Sequence, residues 1–311
     1  MSVSQTPRVP AANAPARFAL VARIGGATAA LMFVLIVVGS IVRTTDSGLA
    51  CPDWPKCHGQ WIPPMQFNIF MEWLHRLIAL VVGLGLASTA LAIVTHATTR
   101  ARLGGLALLA IAIYFTQALL GALTVWKLLD PEIVSGHLAV GLLLFSTLLT
   151  LTLLARHEAK PATSAARTPG LLPLFAGASV AVWAQAVLGG MVSTNHASLI
   201  CHDWPTCNGE WFPPMIGLVA IQMSHRFGAY ALIALLGVLA WRARRAQDPV
   251  VARIARGMFH LVLFQAVVGI GNIFMGIPVW VSALHLGNAA LLLALGIVGT
   301  FRLAMAREVR A

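Results

Sequence analysis

The sequence predicts an all-α integral membrane protein, with eight transmembrane helices forming two pseudo-symmetric four-helix bundles. Three observations carry that expectation. Hydrophobic residues make up 59% of the chain and charged residues only 10%, too little polar surface for a soluble domain. The apolar residues gather into eight runs, each close to the ~20 residues that cross a hydrocarbon core, separated by short polar links. The second half also repeats the first. An offset of 150 takes Cys51, Trp54, Pro55, Cys57, Trp61, His75 and Arg76 onto Cys201, Trp204, Pro205, Cys207, Trp211, His225 and Arg226. An offset of 148 takes Gln117, Gly121 and His137 onto Gln265, Gly269 and His285.

In chain order, residues 1–16 are polar and rich in Ala and Pro, and are expected to be a disordered cytoplasmic N-terminus. The run from Leu20 to Val42 is longer than a signal-peptide core and lacks a cleavage site, so it is expected to stay as the first span. Further spans are expected near residues 70–95, 103–126, 132–155, 171–193, 217–241, 255–275 and 279–303. This divides the chain into an N-terminal bundle (17–156), a cytoplasmic linker rich in Ala, Thr and Pro (157–170) and a C-terminal bundle (171–311). Asp130-Pro131-Glu132 reads as a helix start: a capping Asp, Pro in the first helical position and acid in the first turn. Gly276-Ile277-Pro278 plays the same part before the last span.

The net charge of +11 does not point to nucleic acid, because the basic residues form no helix face and no arm interleaved with aromatics. They sit between the spans. Sixteen of the 21 Lys and Arg fall on one set of links and ends and five on the other, a positive-inside asymmetry. Both termini are therefore expected in the cytoplasm of a multi-pass inner-membrane protein, with the long links 44–69 and 194–216 outside.

Those long links lead into the chemistry. His75 and His225 lie a turn or two into their spans, and His137 and His285 follow Pro131 and Pro278 by six and seven residues. At ~1.5 Å rise per residue all four come to about the same depth, near ~10 Å below the outer surface. An ionisable side chain inside a span is costly without a partner and marks a functional site. Paired histidines on separate helices of a four-helix bundle suit a haem whose iron is held from both faces. A lone interior histidine is more simply a hydrogen-bonded core residue, but four at one depth, duplicated at fixed spacing, favour ligands. The remaining histidines lack this pattern. His96, His157 and His260 fall on the cytoplasmic side, and His58, His196 and His202 in the outer loops have no histidine counterpart.

Glu72 stands three residues before His75, on the same helical face, and the repeat replaces it with Gln222, similar in shape but unable to transfer a proton. It is the candidate catalytic acid or base, with an interfacial ion pair to an arginine as the alternative. Arg76 and Arg226 each follow a candidate ligand and are possible contacts for haem propionates. The cysteines form two Cys-x5-Cys pairs, Cys51/Cys57 and Cys201/Cys207, both expected on the oxidising side. A disulfide within each loop is favoured. Zinc, with His58 or His202, is the rival, though those histidines are not repeated and the usual Cys-x2-Cys spacing is absent. Trp54, Trp61, Trp204 and Trp211 suit the membrane interface.

Taken together, the Glu-x-x-His in the second span, Ser-His-Arg in the sixth, the histidines of the fourth and eighth, and Thr44-Thr45-Asp46-Ser47-Gly48-Leu49 running into the first Cys loop resemble the haem A synthase family. The resemblance covers essentially the whole chain after residue 16 and includes the mitochondrial relatives that act in cytochrome oxidase assembly. It implies oxidation of a ring methyl of haem O to the formyl group of haem A, through successive hydroxylations to a geminal diol that loses water. It further implies haem b as cofactor between His225 and His285, and substrate haem O between His75 and His137 with Glu72 essential. It also implies disulfides Cys51–Cys57 and Cys201–Cys207. A haem O synthase is the implied supplier. Two other classes fit the histidines: a b-type cytochrome relaying electrons between a quinone and an outer partner, and a haem carrier built on parallel repeats. The first leaves Glu72 and the asymmetry unexplained, and the second predicts no chemical change in the bound haem. Membrane lipid is the expected surrounding, and an oligomer is possible.

Overall fold

The computed structural model describes residues 13–160 and 168–306. Among these, eight helices follow one another: α1 (Ala14–Thr44), α2 (Phe67–Val94), α3 (Ala97–Trp126), α4 (Pro131–Ala159), α5 (Leu171–Thr194), α6 (Gly217–Ala243), α7 (Pro249–Phe274) and α8 (Val279–Met305). Each is long and apolar enough to cross a membrane, and the chain is a multi-pass membrane protein. The expected tail of residues 1–16 is helical from Ala14 onward, and its first twelve residues lie outside the described ones. The expected linker 157–170 yields its first three residues to α4, and residues 161–167 likewise lie outside the described ones.

The helix starts show why the observed elements outrun the apolar runs. Asp130 accepts the N–H groups of Glu132 and Ile133 at 3.0 and 3.2 Å with Pro131 in the first turn, so α4 begins where the sequence places it. Asp248-Pro249 is the same device. Asp248 accepts the N–H of Val250 at 2.8 Å, and α7 begins six residues before the expected span. Asp248 also accepts from Nε and Nη2 of Arg302 at 2.9 and 2.6 Å, tying the start of α7 to the end of α8. Arg102 and Glu158 make the corresponding link between α3 and α4.

Within the first half α1 packs on α2 and α4, and α3 on α2 and α4; in the second half α5 and α7 each pack on α6 and α8. The halves meet where α1 touches α8 and where α4 touches α5 and α8. Small residues permit the close passes. An alanine at Gly299 of α8 would place its Cβ 2.2 Å from the ring of Phe175, itself fully buried on α5. Polar groups pin the joint. The Oγ of Ser135 lies 3.0 Å from Thr194 Oγ1, and Trp183 Nε1 donates to the Ala139 carbonyl at 3.1 Å. Arg43, at the end of α1, donates to the carbonyl of Ser193, which is its own counterpart under the 150 offset.

The long links form two copies of one compact loop at a single end of the helices. Cys51–Cys57 and Cys201–Cys207 are disulfides. Behind each, reciprocal backbone hydrogen bonds join Cys57 to Gln60 and Cys207 to Glu210 at 2.9–3.1 Å. The two residues between them, His58-Gly59 and Asn208-Gly209, all have positive φ, as a two-residue type I′ turn demands. Asp53 closes the first turn by accepting the N–H groups of His58 and Gly59 at 2.6 and 2.9 Å; Asp203 accepts those of Asn208 and Gly209 at 2.7 and 2.9 Å. Thr206 adds its hydroxyl to Asp203.

Candidate active site

Helix geometry sets the level of the four histidines. His75 and His225 each stand eight residues after the first residue of α2 and α6, about 12 Å along the axis; His137 and His285 stand six residues into α4 and α8, about 9 Å along. All four line one cavity of about 1860 Å³ that reaches through both halves beneath the two loops. Ligand sites usually enclose ~300–1,000 Å³, so this space exceeds a single such site. Glu72, Gln222, Arg76 and Arg226 share the lining.

Behind each imidazole lies a glycine of the preceding helix. A Cβ added at Gly39, Gly121, Gly189 or Gly269 would meet Cε1 of His75, His137, His225 or His285 at 3.2, 3.1, 3.0 and 3.0 Å respectively. The rings therefore rest flush against backbone, and any larger residue would push them. The Nδ1 atoms of His75, His137 and His285 are buried without a partner, a state that costs free energy unless something else fills the valence. The rings of His225 and His285 face each other with centroids 6.5 Å apart and planes at 66°. Two metal–nitrogen bonds of about 2 Å plus the half-widths of two rings span about 6 Å. Imidazoles so paired, on separate helices at the wall of one largely apolar cavity, fit a haem.

Glutamines complete the cradle unevenly. Gln117 Nε2 lies 3.2 Å from His137 Nε2, and Gln265 Nε2 donates to the His285 carbonyl at 2.9 Å. Gln185 Nε2 lies 3.0 Å from His225 Nδ1 and donates to the His225 carbonyl at 2.8 Å.

Glu72 is 4% exposed, and both its oxygens are engaged. Oε2 accepts the backbone N–H of Cys51 at 2.7 Å, and Oε1 accepts from Arg76 Nη2 at 2.5 Å. The carboxylate thus joins the disulfide loop to the helix that carries His75. In the other half, Gln222 Oε1 is buried without a partner while its Nε2 donates to Ser198 at 3.4 Å. Arg76 spends both terminal nitrogens, Nη1 on the carbonyls of Asp53 and Lys56 and Nη2 on Cys51 and Glu72. Arg226 donates to the carbonyls of Thr206 and Cys201 at 2.6 and 3.0 Å, and its buried Nε has no partner. Both arginines therefore clamp the loops over the cavity. His58 Nε2 lies 2.9 Å from the Ala50 carbonyl, within its loop. Among the described residues no cluster of three or more His, Cys, Asp or Glu forms a metal site.

Sequence reasoning matched Gln117 with Gln265 and Gly121 with Gly269 without assigning them work, and passed over Gly39, Gly189 and Gln185. The signal was available for the glycines, since Gly39 and Gly189 obey the same 150 offset as His75 and His225.

An eight-span membrane protein with duplicated histidine pairs and, among the described residues that line their cavity, a single buried carboxylate defines the class. The family model COX15-CtaA, described as cytochrome oxidase assembly protein, matches residues 22–297, and the chain belongs to that family. Curated relatives named heme A synthase include one from Symbiobacterium thermophilum, 32% identical, with 80% of this chain and 83% of the relative covered. Those from Shewanella oneidensis and Caulobacter vibrioides are 30% and 28% identical, covering 85% and 88% of this chain and 91% and 93% of their own.

Proposed function

We propose that the protein is a haem A synthase, with haem b held by His225 and His285 and substrate haem O received between His75 and His137. The observation that carries this reading is the asymmetric duplication. One histidine–glycine cradle is built four times, yet a carboxylate stands beside the first-half pair alone, in a chain whose relatives are named for this synthesis. Haem b, when bound, supplies one-electron transfer. The chain's own residues do the rest. The four glycines let the imidazoles sit against backbone and orient them. Glu72, immobilised by the Cys51 N–H and Arg76, places a fixed negative charge one turn from His75. There it stabilises positive charge developing as the ring methyl is oxidised, or takes the proton of the water that adds. Gln222 has a similar shape but neither the charge nor the basicity for these roles. Arg226, whose buried Nε has no partner, keeps a donor for a propionate. The sixteen-to-five distribution of Lys and Arg places both termini in the cytoplasm and the disulfide loops outside.

Co-expression with a supply of haem O, followed by extraction of the pigments from purified protein, tests this reading. Mixed b, o and a haems are expected; haem b alone would instead indicate an electron relay.

A further inference from the structure

The halves agree in the glycine behind each ring and in leaving Nδ1 of His137 and His285 without a partner, but differ in what holds the second nitrogen of the ring on α2 and on α6. Gln185 on α5 engages both Nδ1 and the carbonyl of His225. Room for its amide comes from Gly228, three residues beyond His225 on α6, where an added Cβ would fall 2.2 Å from Gln185 Oε1. The 150 offset puts Leu35 and Ile78 in these two places in the first half. Leu35 is 7% exposed, and Ile78 packs against the same core. His75 Nδ1 is buried with no partner at all. An amide with a notch to receive it has thus been exchanged, as a pair, for two branched apolar side chains.

The partner of a metal-bound imidazole's other nitrogen fixes ring orientation, and its loss typically weakens metal affinity 10–100-fold. A carboxamide carries an oxygen as well as N–H groups, and an imidazole bound to iron through Nε2 bears its proton on Nδ1, so the Gln185 oxygen is the atom that would accept it. Swinging the His225 ring off its site breaks that contact. Swinging the His75 ring breaks none. Resting on the assignment of substrate to the first half, we propose that Gln185 with Gly228 makes His225 a permanent iron ligand, while Leu35 with Ile78 leaves His75 exchangeable. His75 is then the ligand that lets substrate haem enter and product haem depart, while the cofactor stays. Gln185 is a positioning residue, acting through His225.

Exchanging the pairs tests this in the full-length protein, purified after co-expression with a haem O supply and mixed with excess apomyoglobin as haem acceptor. The haem that remains is typed by its pyridine haemochrome spectrum, which separates b from o and a. Leu35→Gln/Ile78→Gly is expected to slow release of o and a about tenfold with b unaffected, and Gln185→Leu/Gly228→Ile to speed release of b about tenfold. A loosened fold cannot retain haem longer, so slower release separates ring anchoring from structural damage. If the first double variant does not fold, the second decides by its selectivity, since a loosened fold would release o and a faster as well, whereas lost anchoring at His225 speeds b alone. Unchanged release of o and a in a folded first variant, or of b in the second, overturns the proposal. Absence of haems o and a from the unaltered protein would instead defeat the assignment of substrate to the first half.

Discussion

Replacing Glu72 with Gln isolates charge from shape, and the second half supplies the control. Breaking a buried ion pair by removing one partner commonly costs ~3–5 kcal/mol, because the other charge is left stranded. Arg76 would not be stranded, since it keeps the carbonyls of Asp53, Lys56 and Cys51. Arg226 already lives this way beside Gln222, held by Thr206 and Cys201. What Glu72→Gln forfeits is the ionic part of two hydrogen bonds, one to Arg76 and one to the Cys51 N–H. Hydrogen bonds to charged groups contribute ~1.5–3 kcal/mol each, and the Gln oxygen retains part of one. The expected cost is therefore about 2–3 kcal/mol. Thermal unfolding in detergent should register that loss, and the Cys51 amide should exchange hydrogen faster. Haem b content should be unchanged, haem O should still bind, and no formyl product should form. A variant that makes haem A at the normal rate would refute the assignment of chemistry to this carboxylate. One that loses haem from both halves would show Glu72 to be only a structural tie.

Gly189→Ala forces Cε1 of His225 off a 3.0 Å contact and should perturb the haem b spectrum and content. Gly39→Ala, at 3.2 Å from His75, should spare haem b and weaken retention of the substrate haem; each overpacking costs ~1–3 kcal/mol. Equal spectral change in both variants would argue against separate cradles. Replacing Cys51 and Cys57 with Ser opens a ring closed across six residues, a loss of about 2 kcal/mol. Hydrogen exchange across residues 50–60 should rise, with α3 and α4 unaffected. The loops also carry a pH signature. The Asp203 carboxyl is held below its ordinary 3.8, first by the Thr206 hydroxyl and then by the amides of Gly209 and Asn208. The Asp53 carboxyl is lowered chiefly by the Gly59 amide. A carboxyl lowered in the folded state contributes stability above its unfolded pKa and loses it only as pH falls through the folded value. The second loop should therefore stay closed at pH 4. Asp203→Asn, which cannot be deprotonated, should exchange its Asn208 and Gly209 amides faster than the unaltered protein at pH 7; no difference there would contradict the role.

Membrane insertion, the number of spans and the internal duplication were legible in the linear chain, because apolar run length and a fixed offset are properties of the sequence alone. So was the common level of the histidines, since a helix converts residue count into depth. Helix ends were read well where a cap was recognised, as at Asp130. They were missed where the same Asp-Pro signature stood outside the apolar run, at Asp248. Side-chain partners were another matter. Arg76 and Arg226 read as possible contacts for propionates, and only the fold shows that they also hold loop carbonyls distant in sequence. Glu72 was marked by its loss in the repeat, but only packing brought the Cys51 amide to it.

Periodicity and repetition could reveal which residues come in pairs, because they depend on spacing along one helix. They could not reveal that Gly39, Gly121, Gly189 and Gly269 are the floor beneath the four rings, or that Gln185 reaches His225. Those contacts lie between helices, and their geometry follows from how closely two backbones approach, a quantity that no single helix encodes.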